Sequence, residues 1–196
     1  MNKIITIGRE FGSGGRTIAK MTAEKLNIPC YDSELLTKIA EDSGFDKNFV
    51  EENGENTSLN SVIAKGLSGW NGYANKSADD YLWQSQKKVI LDIANKESCI
   101  IVGRCADFIL KEKADCLSVF IHADMEKRAK RIVSVYGESD ESPEKRLKDK
   151  DKRRSAFYYY HTDMKWGDVH NYHVALDSGV LGFEKCVDII TALYKN

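Results

Sequence analysis

The sequence predicts an α/β domain, with a parallel sheet of five strands covered by helices on both faces. Three observations carry this. Short apolar runs alternate with longer stretches of helical periodicity, turn residues close each run, and a glycine-rich segment joins the first run to the first helix. Such alternation implies a parallel sheet, whose ligands sit at the carboxyl ends of its strands.

Ile4-Ile5-Thr6-Ile7 reads as a buried first strand, followed by glycine-rich residues from Gly8 to Gly15. A helix begins near Arg16, with Ala19, Ala23 and Leu26 on one face, and Pro29 stops it. Cys30-Tyr31 is a second strand. Asp32-Ser33 offers a cap for a helix that turns Leu35, Leu36, Ile39 and Ala40 inward and ends at Gly44. Residues 45–76 are polar, and are expected to form short helices in a mobile insert. Leu82, Val89, Ile90 and Ile93 mark a long helix over 78–95. The third strand is Cys99-Ile100-Ile101-Val102, ending at Gly103-Arg104, and the fourth runs from Leu117 to Ile121. Asp124 caps the next helix, with Ala129, Ile132, Val133 and Tyr136 on one stripe and Arg128 and Arg131 beside it. Ser142-Pro143 restarts a basic helix that runs toward Tyr160. His173-Val174-Ala175-Leu176 is the fifth strand, ending at Asp177-Ser178. A last helix carries Phe183, Val187, Ile190 and Leu193.

Composition excludes several function classes. The chain has 196 residues, enough for one domain with a substantial core. The formal charge of −1 supplies no global field toward nucleic acid or an anionic membrane. No apolar run approaches the ~20 residues that span a bilayer, and the first residues are too short for a signal peptide. The five cysteines are scattered without a CxxC pair, which fits reduced thiols in a cytoplasmic protein. His122, His161, His170 and His173 show no metal-ligand spacing.

The segment Gly8-Arg9-Glu10-Phe11-Gly12-Ser13-Gly14-Gly15-Arg16-Thr17 carries the chemistry. A phosphate chain needs backbone N–H groups that converge on it. Glycines allow that backbone, and a helix N-terminus adds free donors and partial positive charge. Against G-x-x-x-x-G-K-[ST], Glu10 stands at the first glycine and Arg16 at the lysine. Arg16 is expected on the β- and γ-phosphates of ATP, with Thr17 offering its hydroxyl to Mg²⁺. A second reading treats Gly12-x-Gly14, with Asp32 twenty residues after Gly12, as a dinucleotide fingerprint; Thr17 then stands at its third glycine.

From Arg146 to Arg154 there are six basic residues against Asp149 and Asp151. Alone, such a run reads as a solvated face. Beside a phosphate loop, and with Arg128 and Arg131 on the preceding helix, it reads as a lid that places cations on the transferring group. Tyr158-Tyr159-Tyr160 and Trp166 are expected to pack this lid, with stacking on a base as the alternative.

The chain resembles the cytidylate kinase-like family of P-loop nucleoside monophosphate kinases. The resemblance rests on I-T-I-G-R-E-F-G-S-G-G-R, I-V-G-R-C-A-D and the tail K-W-G with N-Y and a strand, and covers nearly the whole chain. It implies a three-layer P-loop fold over 1–196, with a monophosphate-binding insert near 45–95 and a lid near 137–165. Gly12 to Thr17 would hold ATP, Arg153 and Arg154 would be lid cations, and Asp32 and Arg104 would lie beside the acceptor, CMP or dCMP. Where that family carries D-[ST]-G-x-x-Y-R, this chain has Asp32-Ser33 and then Lys38. Where the family carries G-R-D, it has Gly103-Arg104-Cys105, with an acid at Asp107. Lys38 and Asp107 are therefore further acceptor candidates. A nucleotide-binding regulator without turnover, and a P-loop kinase acting on a non-nucleotide metabolite, remain the alternatives.

Overall fold

The computed structural model describes residues 2–48, 50, 78–112 and 114–195. The insert expected at 45–76 therefore lies outside the described residues, apart from 45–48 and Val50.

Five parallel strands form one sheet: β1 (Lys3–Arg9), β2 (Cys30–Tyr31), β3 (Ile100–Val102), β4 (Asp115–His122) and β5 (Val174–Asp177), in the order β2-β3-β1-β4-β5. Central β1 pairs Ile5 with Ile100 on one side and with Leu117 on the other. Ile4, Ile5 and Ile7 are fully buried, and the strand period of two sends them to opposite faces. Ile4 joins a core made with Leu35, Ile39, Ile90 and Ile101, under α2 (Ser33–Ser43), α3 (Ala78–Lys96) and α4 (Ala106–Leu110). Ile5 and Ile7 join Ile18, Val119, Ile121, Val187 and Ile190, under α1 (Gly15–Leu26) and the C-terminal helix. The sheet is thus covered on both faces, as its apolar strands require.

Beyond β4 come α5 (Met125–Tyr136) and α6 (Pro143–Thr162), then a 3₁₀ turn (Val169–Asn171), α7 (Ser178–Leu181) and α8 (Phe183–Lys195). The expected caps form at Asp124, which accepts from the Glu126 N–H, and at Ser142, which accepts from the Lys145 N–H. The cap expected at Asp32 differs: Asp32 stands at the N-cap position of α2 without a side-chain cap bond. Its carboxylate is drawn instead to Arg16 (Nε–Oδ2 3.0 Å), a stronger partner than a peptide N–H. The last helix is broken at Gly182 (φ 76°), which divides α7 from α8. Two expected core residues are exposed, Leu193 at 39% and Tyr136 at 53%.

The segment expected to be a lid, 137–165, is mostly exposed or half-buried, and one face of its helix is anchored in the core. Leu147, Phe157 and Tyr158 of α6 are buried, and Asp151 accepts from the Phe11 N–H (2.7 Å) and from Arg128 Nη1 (2.6 Å). The connector from Gly137 to Ser142 is exposed throughout, and α6 also exposes Lys148, Lys150, Lys152 and Arg153. Closure of α6 as a unit would uncover its buried apolar side chains, so motion costs least at the connector.

Candidate functional site

The phosphate loop leaves β1 at the middle of the sheet, where the chain crosses to opposite sides to build β3 and β4. The Glu10 N–H donates to the Ile121 carbonyl (3.0 Å), and Ser13 Oγ lies 2.9 Å from the Glu10 carbonyl oxygen and 3.1 Å from that of Ile121. Ser178 Oγ, at the end of β5, donates to the Ser13 carbonyl (2.6 Å). Three strand ends therefore hold the loop, and the Ser13 hydroxyl is structural.

Gly12 and Gly14 adopt φ 80° and 82°, where side chains are strained. The first helical bond of α1 runs from the Ile18 N–H to the Gly14 carbonyl (3.0 Å), and Gly14 supplies no side-chain cap. The N–H groups of Gly15, Arg16 and Thr17 thus have no helical acceptor and point from the N-terminus as a group, the arrangement that holds an anion.

A cleft over this loop is lined by Gly12, Gly14, Gly15 and Thr17 and by six cations: Arg9, Arg16, Arg104, Arg131, Lys150 and Arg154. A second, much smaller cleft of about 20 Å³ adjoins it, between Gly8, the Gly103–Cys105 turn, α6 and Trp166. Arg9, Arg104 and Arg154 line both. They come from β1, the end of β3 and α6, so only the folded chain collects them. Arg154 Nη1 donates to the Arg9 carbonyl (3.3 Å), and its guanidinium lies over the Phe11 ring (5.8 Å).

Arg16 and Thr17 stand at the cleft as expected, each engaged by a neighbour. The Arg16–Asp32 pair is half exposed on the arginine side (51%), so it contributes ~0–1 kcal/mol and is easily exchanged for a phosphate. Thr17 Oγ1 accepts from Arg131 Nη2 (2.9 Å), and the Arg131 guanidinium lies 5.0 Å from the Phe183 ring centroid. A hydroxyl retains a second lone pair, and nucleotide-bound Mg²⁺ takes one or two protein oxygens beside phosphate and water. The residues present therefore fit that ion, with Thr17 as the oxygen on the loop. Among the described residues, no cluster of three His, Cys, Asp or Glu forms a metal site.

Other expected residues lie elsewhere. Arg128 is 5% exposed and lies outside both clefts. It donates to Asp151, to the Phe11 carbonyl (3.2 Å) and to the Ala123 carbonyl (3.0 Å), and its Nε lies 3.3 Å from Glu10. It ties the loop to α5 and α6; breaking so buried a pair costs about 3–5 kcal/mol. Arg153 is exposed and lines a third cleft with Ser139 and Arg146, which shares Phe11 and Lys150 with the first. Lys38 is exposed on α2, 5.9 Å from the Tyr31 ring centroid. Gly8 packs closely: an added Cβ would stand 2.9 Å from Phe120 Cδ2. Trp166 meets Phe120 edge to face (5.4 Å) while lining the second cleft.

Asp107 is turned into the core, where its Oδ2 accepts from the Tyr158 hydroxyl (2.7 Å). Burial pushes its carboxyl up, partly offset by the tyrosine bond. The folded state then holds the proton more tightly than the unfolded chain. The stability this group contributes is full below the unfolded carboxylate value and is lost as pH rises through the folded one. Asp107→Asn keeps an acceptor for Tyr158 and removes that loss. Its Tm relative to the parent should rise as pH is raised from about 4; a difference flat in pH would refute this.

Arg9, Lys150, Glu10 and Gln86 were not picked out for the site from the sequence. Arg9 had a signal, a cation at the strand–loop junction, but the consensus directs attention to Arg16. The Glu10 carboxylate accepts from the Ala123 N–H (3.2 Å), and burial pushes its pKa up.

A glycine-rich loop between the central strand and a helix, with arginines at the strand ends, defines a P-loop phosphotransferase. Solved structures share the fold: a shikimate kinase from Bacteroides thetaiotaomicron (TM-score 0.58, 16% identity, 99% of each chain) and a gluconokinase from Sinorhizobium meliloti (0.55, 15%, covering 99% of this chain and 94% of that one). An uncharacterized protein from Eubacterium ventriosum is more similar (0.75, 29%, covering 100% of this chain and 99% of that one). The sequence profile of the cytidylate kinase-like family matches residues 4–180, and the chain belongs to that family. Relatives include proteins named cytidylate kinase from Archaeoglobus fulgidus (30% identity, 95% of this chain and 91% of the relative) and Pyrobaculum islandicum (24%, 95% and 89%).

Proposed function

We propose that the protein transfers the γ-phosphoryl group of Mg·ATP to a nucleoside monophosphate, CMP or dCMP. The observation that carries this reading is the pair of adjoining clefts sharing Arg9, Arg104 and Arg154. Phosphoryl transfer is catalysed mainly by positioning and by cations on the moving charge, and that charge lies where donor and acceptor sites meet. Family membership and the relatives named cytidylate kinase support the acceptor.

In this reading the first-turn N–H groups of α1 cradle the triphosphate, and Arg16 swings from Asp32 onto it. Thr17 would hold the magnesium ion, which would supply positive charge to the triphosphate. Arg104 and Arg9 hold the acceptor's phosphate, and Arg154 covers the group in transfer. A monophosphate oxygen is already largely ionised near neutral pH, so the acceptor needs no general base. Water is kept out by Phe157, Tyr158 and Trp166 around the second cleft.

An ADP-release assay over all nucleoside monophosphates tests the assignment: CMP or dCMP should turn over much faster than AMP, GMP or UMP. One observation favours a non-nucleotide acceptor. Asp32 and Asp107, the carboxylates expected to read a base or sugar, are engaged by Arg16 and Tyr158. Small hydroxylated and phosphorylated metabolites therefore belong in the same panel. Tight ATP binding with no turnover for any of them would instead support the regulator.

Arg16→Ala should leave stability nearly unchanged, because its ion pair is half exposed. It should weaken ATP binding by about 1.5–3 kcal/mol, the value of a hydrogen bond to a charged group. Equal ATP affinity in variant and parent, by calorimetry, would remove Arg16 from the site.

A further inference from the structure

The Gly103–Cys105 turn brings three successive residues into the left-handed region: φ is 74° at Gly103, 60° at Arg104 and 53° at Cys105. Two of the three carry side chains, so this backbone persists only because its surroundings hold it. One holder is Gln86, a buried residue of α3 (1% exposed). Its Nε2 donates to the Arg104 carbonyl (3.2 Å) and its Oε1 accepts from Arg104 Nη1 (3.1 Å). The same Nη1 also donates to the Val50 carbonyl (3.3 Å). One amide therefore grips both the backbone and the guanidinium of a single residue.

We propose that Gln86 is the positioning residue for anion recognition by Arg104, setting the affinity for the acceptor without touching it. This rests on the reading above, in which Arg104 faces the acceptor. The chemistry of the grip supports it. The amide oxygen of Gln86 and the carbonyl of Val50 are both neutral, so neither of these two partners cancels the charge it orients. A carboxylate at position 86 would keep an oxygen on Nη1 but neutralise the guanidinium, and would lose the bond to the Arg104 carbonyl. Val50 lies within the 45–76 segment, so the grip also ties that residue to the turn at Arg104.

The test compares the parent with Q86L and Q86E, using CMP as acceptor. Q86L removes both bonds. Q86E keeps the shape and the oxygen facing Nη1, and adds charge. Each is expected to raise the KM for CMP at least about tenfold, the loss of a hydrogen bond to a charged group, with kcat and the KM for ATP changed by less than about threefold. If Q86L fails to fold, Q86E alone decides. A merely structural Gln86 would lower stability and kcat together with affinity, so a parental KM for CMP in Q86E, or an equal loss of kcat, overturns the proposal.

If the parent does not turn over CMP, the acceptor assignment falls and the grip is read without it. Nitrogen-15 signals of the Arg104 side chain are then followed while inorganic phosphate is titrated. A response in the parent that needs at least about tenfold more phosphate in the variants supports the proposal. A parent signal indifferent to phosphate, or equal affinity in parent and variants, overturns it.

Discussion

Arg154→Ala is expected to lower kcat by about 10²–10³-fold, the cost of removing one fixed donor from a developing charge. Arg153→Ala is expected to change kcat by only a few fold. The neighbours are alike in the sequence, and the fold separates them. Arg154 is 14% exposed on its side chain, lines both clefts and lies over Phe11, whereas Arg153 is exposed and lines only the third cleft, with Arg146. ATP affinity should fall less than turnover in Arg154→Ala, because a cation between two sites acts chiefly on the transition state. Steady-state ADP release, using whichever acceptor the panel identifies, measures both variants. Equal losses would mean that α6 contributes diffuse charge rather than one placed guanidinium.

Gly14→Ala should abolish ATP binding and destabilise the fold together. At φ 82° an L-residue costs about 1–2 kcal/mol. The added Cβ would stand 2.4 Å from Phe183 Cζ and 2.6 Å from Cε1. That ring is the face on which Arg131 lies, so it has little room to retreat. Overpacking adds about 1–3 kcal/mol. Together they amount to about 2–5 kcal/mol, a fall in Tm of roughly 5–15 °C for a chain of this size. Gly44→Ala is the control. It shares the positive φ (72°) but meets nothing within 4 Å, so it bears the backbone cost alone. Thermal melts and ATP calorimetry on both should rank Gly14→Ala clearly worse. Equal melting points would remove the Phe183 contact from the account.

The loop, the five strands and the caps at Asp124 and Ser142 were legible because each is encoded by adjacent residues. A strand needs an apolar run, a phosphate loop needs glycines before a helix, and a cap needs one side chain beside its own helix. Asp32 misled for a related reason: local sequence marks it as a cap, and Arg16, close in space, outcompetes the peptide N–H. Asp107 and Lys38 were chosen by matching family motifs along the chain, and the fold turned one toward Tyr158 and left the other exposed beside Tyr31.

By itself the sequence determined the class of fold, the place of the phosphate loop and the concentration of positive charge around it. These depend on periodicity and on short-range backbone demands, which no distant residue has to complete. The tertiary structure alone decided which arginines share the two clefts. Arg9, Arg104 and Arg154 stand far apart along the chain, and only the strand order β2-β3-β1-β4-β5 brings their elements to one end of the sheet. It also decided that Arg128 is a strut rather than a site cation, because burial beside Asp151 and Glu10 leaves its charge engaged within the protein. A cation in a sequence has a charge but no direction, and direction comes from the groups that fold around it.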